Sequence, residues 1–159
     1  MTATADLNPR SAPWLDLLGF AGEEAWVIAT FWTAAGRLLE ASDHAGASAV
    51  FEGLERLLPD HPIGLIGQAE VARETERFGD MQRFGQRAAE CTGADRAHLA
   101  HALQLAATGA EGRRRFSEAR TLLERALRVA PENSRIAVQQ QLARLDQREN
   151  ATPPRSTDR

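Results

Sequence analysis

The chain has 159 residues, 43% of them hydrophobic and 26% charged, enough for one domain with its own core and too few for two ordinary ones. A formal net charge of −3 argues against a general nucleic-acid binder, which is normally basic. One cysteine, Cys91, leaves no internal disulfide to form and points to a reducing compartment, so the cytoplasm is the expected location.

Residues 1–12, rich in Thr, Ala, Asn, Pro and Ser, are expected to be disordered, and no basic region followed by an apolar stretch suggests a secretory signal. Pro13 opens a short apolar helix over Trp14–Leu18, ended by Gly19 and Gly22. A long helix follows over about Glu23–Ala41, with two acids in the first turn where the helix dipole favours them. Its apolar run, Ala25 to Gly36, is about half a membrane span, so no membrane insertion is expected. Ser42–Asp43 ends this helix and caps the next, over about Ala45–Leu58. Pro59 and Pro62 bracket a turn into a helix running to about Arg77.

Gly79–Asp80 reads as a break with an N-cap, followed by a helix to about Cys91, and Thr92–Gly93 breaks the chain again. The next helix covers about Ala94–Thr108, a loop runs from Gly109 to Arg113, and another helix spans about Arg114–Ala130 before Pro131. Asn133 or Ser134 caps a last helix over 134–148 with a thin apolar stripe of Ile136, Leu142 and Leu145, and residues 150–159 read as a disordered tail. No segment alternates apolar and polar residues in the manner of a strand, so the expected class is all-α. Arginine supplies every one of the nineteen Lys+Arg positions and tyrosine is absent, as GC-rich bacterial coding produces.

One pattern recurs. Phe31, Ala34, Ala35 and Leu38 are followed by Ala47, Phe51, Leu54 and Pro59, and Leu103, Ala106 and Ala107 by Phe116, Ala119, Leu123, Ala126 and Pro131. Each series describes two helices with small residues along one stripe and a closing proline. A single helical hairpin cannot bury its apolar face, so such units must stack, and Ala34, Ala69, Ala106 and Ala126 would let backbones approach. These residues resemble tetratricopeptide repeats, with units over 28–61, 62–99 and 100–133. The middle unit has Leu65, Ala69, Ala72, Gly79 and Ala88 but no closing proline. Pro59 and Pro131 lie 72 positions apart, four more than two units of 34, so the middle unit carries an insertion.

The resemblance implies a right-handed superhelical stack of three hairpins over 13–149 with N- and C-terminal capping helices. It also implies a concave groove that binds a partner protein or peptide. The groove positions it assigns are Trp32 and Leu39 in unit one, Ile63, Ile66, Glu70 and Arg73 in unit two, and His101 and Gln104 in unit three. Together they describe an apolar entrance that turns polar. Positions where carboxylate-clamping repeats carry Lys and Asn hold Trp32 and Gly36, which argues against that clamp. The layout is also similar to small chaperones of bacterial type III secretion, which implies a chaperone or assembly adaptor. The alternative is a repeat scaffold or regulator acting through its convex face or tails.

Other features have plainer explanations. Trp14, Leu15, Leu17, Leu18 and Phe20 read either as a cap over unit one or as a homodimerisation arm. His98 and His101, at i and i+3, lack a third ligand at metal-site spacing. Arg113–Arg115 reads as a solvated loop tip before it reads as a phosphate or nucleic-acid contact. No Gly-rich phosphate loop, zinc-protease motif or nucleophile elbow occurs, so neither an enzyme nor a cofactor is expected.

Overall fold

A computed structural model describes residues 23–151, and every regular element among them is helical: α1 (Glu23–Glu40), α2 (His44–Leu57), α3 (Ile63–Glu74), α4 (Phe78–Ala89), α5 (Arg96–Gly112), α6 (Phe116–Val129) and α7 (Glu132–Ala151). The segment expected as a first short helix lies outside the described residues.

The three hairpin turns, between α1 and α2, α3 and α4, and α5 and α6, are built identically. Each places one non-glycine residue in the left-handed region: Ser42 (φ 60°), Glu76 (φ 53°) and Arg114 (φ 59°). Each closes the preceding helix with the same paired hydrogen bonds. Ser42 N donates to Leu39 O and Asp43 N to Leu38 O. Glu76 N donates to Arg73 O and Arg77 N to Ala72 O. Arg114 N donates to Glu111 O and Arg115 N to Ala110 O. This Schellman arrangement satisfies two of the carbonyls that a helix end leaves without partners. Turn positions 42 and 76 are 34 residues apart, and 76 and 114 are 38 apart.

The four extra residues therefore fall between the second and third hairpins. They coincide with an N-terminal turn on α5 that α3 lacks. Asp95 caps that turn, accepting from His98 N at 2.7 Å, as Asp43 caps α2 by accepting from Gly46 N at 2.8 Å. Gly93 in the preceding loop donates its amide to Asp60 O at 2.9 Å, which ties that loop to the one before α3.

Several boundaries differ from the sequence reading. Gly79 and Asp80 lie inside the first turn of α4, where Asp80 pairs with Arg77 at 3.3 Å and Arg83 at 2.8 Å instead of capping. Gly109 lies within α5. A Cβ there would sit 2.6 Å from Gln82 N and Phe78 O, so glycine permits the α5 backbone to run directly against α4 and remain helical. Gly85 does the same one contact further along, facing Ala106 N and Ala102 O. Asn133 and Ser134 fall inside α7, whose buried residues are Val138 and Leu145, while Ile136 is 65% exposed. On α1 the small buried residues are Ala29 and Ala35, and Ala34 faces outward.

Each helix packs on its neighbours in sequence, and α1 also touches α3, α3 touches α5, and α5 touches α7. The glycine contacts show α4 and α5 running in opposite directions. By contrast, Gln104 meets Gln141 and Glu111 meets Arg148 at a constant offset of 37, so α5 and α7 run the same way. Apolar burial follows this order in three clusters. Ile28, Ala35, Phe51 and Leu54 are joined by Ile63 and Val71 of the next hairpin. Leu65, Ala69, Met81 and Ala88 are joined by Ala102 and Leu105. Leu103, Leu122, Leu123 and Ala126 are joined by Val138 and Leu145 of α7. Every hairpin thus completes its core with the helix that follows it, each large side chain contributing roughly 2 kcal/mol by leaving water. No helix among the described residues is long and apolar enough to cross a membrane.

Candidate functional site

The odd-numbered helices share one side of the molecule, and between α3, α5 and α7 they leave a groove of about 620 Å³. Polar residues make up most of its lining, because the large apolar side chains of these helices are committed to the clusters behind it. Leu105 and Met81 reach the floor but are 4% and 0% exposed.

Four of the eight residues assigned to a groove by sequence come together here or at its edge. Glu70 pairs with Arg73 at 3.0 Å and with His101 Nε2 at 3.2 Å, joining α3 to α5. Gln104 Nε2 donates to Gln141 Oε1 at 3.3 Å, Gln141 Nε2 donates to Thr108 Oγ1 at 2.8 Å, and Thr108 Oγ1 donates to Gln104 O at 3.0 Å. This chain of donors joins α5 to α7. Arg148 closes the far end by bonding Glu111.

The other four lie elsewhere. Ile63 and Ile66 are each 2% exposed, the first in the cluster of Phe51 and Leu54 and the second in that of Met81 and Leu105, and present almost no apolar surface to a partner. Trp32 and Leu39, on α1, are partly buried. The Trp32 ring stands edge-on to Phe51, with centroids 5.0 Å apart and planes at 64°. The apolar entrance expected from the sequence is therefore largely core.

Sequence reasoning gives α7 as a capping helix and does not assign it to the groove, to which it contributes Gln140, Gln141, Arg144, Gln147 and Arg148. The signal was present in their spacing: positions 140, 144, 147 and 148 fall on one helical face. Glu111 was missed because it was read as part of a loop.

The remaining candidates are accounted for locally. His98 is 5% exposed, with Nδ1 at 2.9 Å from Asp95 and its ring edge-on to His61 at 5.1 Å, whereas His101 turns to Glu70, so the two histidines diverge. Burial holds the His98 imidazole below its ordinary pKa, against the opposing pull of Asp95. Among the described residues, no group of three or more His, Cys, Asp or Glu side chains is placed to hold a metal ion.

Arg113 donates to Gln82 Oε1 at 3.2 Å and Arg115 pairs with Glu118 at 3.5 Å, so two of the three loop arginines are engaged within the fold. Cys91 borders a second depression of about 270 Å³ with Glu55, Asp60 and Arg87. Burial pushes its thiol pKa up, Arg87 opposing, which disfavours the nucleophilic thiolate. The dimerisation residues read from sequence, Trp14, Leu15, Leu18 and Phe20, lie outside the described residues.

No protein-family model matches this chain, and no curated protein matches its sequence.

Proposed function

We propose that this chain is a protein-binding module that holds a segment of a partner polypeptide in the groove of α3, α5 and α7, serving as a chaperone or assembly adaptor. Its three hairpins form a right-handed superhelical stack of the tetratricopeptide kind, with α7 as the C-terminal cap. The identical turns at Ser42, Glu76 and Arg114 support the repeat reading.

The observation that carries the functional reading is the convergence of amide and guanidinium side chains from three helices on one open groove. Glutamine offers a donor and an acceptor on one flexible stem, which suits the alternating N–H and C=O groups of a bound backbone. A photoreactive benzoylphenylalanine in place of Gln140, on the groove, is compared with one in place of Glu124, exposed on α6. Crosslinking to a partner in extracts of the source cell is expected at position 140 and not at 124. The reverse result transfers binding to the opposite face and defeats the reading.

A further inference from the structure

The groove's charge departs from that of the chain. The protein as a whole carries −3, yet the charged residues lining the groove are Arg73, Arg144 and Arg148 against Glu111 alone, with Glu70 at its edge. Arg148 is held by Glu111, and Arg73 by Glu70 and Glu74. Arg144 is exposed and makes no ion pair among the described residues. Gln140 and Gln147 stand four residues before it and three after it on the same face of α7. We propose, building on the peptide-binding reading above, that the occupant is an extended acidic segment of a partner protein. One of its Asp or Glu carboxylates bonds Arg144, and its backbone lies against Gln140 and Gln147.

Three observations select this occupant. An amphipathic helix needs pockets for large apolar side chains, and the large apolar residues that line the groove, Leu105 and Met81, are buried. Single-stranded nucleic acid is held by aromatic platforms on a strongly basic track, and no Phe, Trp or Tyr lines this groove. A planar guanidinium, by contrast, receives a carboxylate in a two-point fork. From Ala137 to Arg148 the groove wall extends about 16 Å at 1.5 Å per helical residue, the span of roughly five residues of extended chain. The tail at 152–159 carries Arg155 and Arg159 against one Asp158, so its charge suits the site poorly.

The test uses the full chain labelled for backbone-amide NMR, with a fluorescein-labelled octapeptide of alternating Asp and Ala as probe. The matching Asn–Ala octapeptide, an eight-nucleotide oligothymidylate and free citrate serve as comparisons. The Asp peptide is expected to shift amides of α5 and α7, to bind about tenfold tighter than the Asn peptide, and to weaken as salt rises. Arg144→Gln is expected to cost it about threefold to fivefold, the scale of one exposed pair, and Arg56→Gln on α2 to cost nothing.

Equal affinity for the two peptides at the same amides overturns the acidic preference and leaves the groove reading standing. Peptide-induced shifts elsewhere, or none, overturn both. Tighter binding of the oligonucleotide or of citrate replaces the peptide with a nucleic acid or a small polycarboxylate. Amides of α5 and α7 that move with protein concentration alone assign the groove to a second copy, which also defeats the proposal.

Discussion

Gln68 is 4% exposed, and its amide nitrogen donates to Glu55 Oε2 at 2.6 Å, while Arg87 of α4 takes the other carboxylate oxygen at 2.6 Å. One glutamate on α2 thereby satisfies a buried amide on α3 and joins the first hairpin to the second. Gln82, also 4% exposed, donates in the same way to Glu118 at 2.7 Å, joining the second to the third. A buried amide stripped of its partner bears its desolvation cost, so Glu55→Ala is expected to lose about 2 kcal/mol in urea unfolding. Adding Gln68→Met should recover most of that loss, because neither polar group then remains. His98 supplies a second test. Its folded-state pKa lies below its unfolded value of about 6.5, so the folded protein holds it neutral while the unfolded chain takes up a proton. Its stability contribution is full above pH 6.5 and falls as pH drops from there toward the folded pKa. Urea midpoints between pH 7.5 and 5 should decline in the parent and decline less in His98→Gln; parallel curves would remove His98 from the account. Asp95, His61 and His101 are the titratable groups that face it. At this scale the sequence was least informative. It could show that Ile66 is apolar and Arg73 charged, but whether either faces the groove depends on how far each helix is rotated against two neighbours.

Helix identity was readable from small-residue spacing and caps, whereas helix ends were decided by tertiary contacts that local rules do not contain. Gly109 illustrates this. Beside Gly112 and three arginines it reads as a loop, yet it is helical and lies against the α4 backbone, a contact no local pattern contains. Gly109→Ala should therefore destabilise, against the usual helix-propensity gain, by about 3 kcal/mol as the two backbones are forced apart. The hairpin turns predict the opposite sign. Ser42, Glu76 and Arg114 adopt a left-handed conformation that costs an L-residue about 1 kcal/mol and glycine almost nothing. Glu76→Gly, at an exposed site, should raise stability by up to that amount, a shift of a few degrees in Tm by calorimetry. Destabilisation by this substitution would show that the Glu76 side chain contributes more than its strained backbone costs.

Pro59 and Pro131 lie 72 positions apart, as do the turn residues Ser42 and Arg114, and the unequal spacings on either side of Glu76 place the four extra residues between the second and third turns. What no local pattern conveyed is how the three clusters share helices. Because each hairpin finishes its core with the following helix, the described chain should unfold as coupled neighbours instead of one all-or-none unit. The middle is the strongest seam. There Gly85 and Gly109 bring α4 and α5 into backbone contact, and Leu103 and Leu105 of α5 serve two different clusters. At the flanks Trp26 on α1 is 52% exposed and Ile136 on α7 is 65% exposed, so both outer helices bury less of what they carry. Native-state hydrogen exchange should therefore give the slowest amides in α4 and α5, with protection falling outward through α3 and α6 to α1 and α7. Partial opening of α7 would also open one wall of the groove, so a bound peptide should slow exchange in α7 more than in α4. A single protection level from α1 to α7 would mean that the clusters melt together, and the nearest-neighbour description of this fold would have to be abandoned.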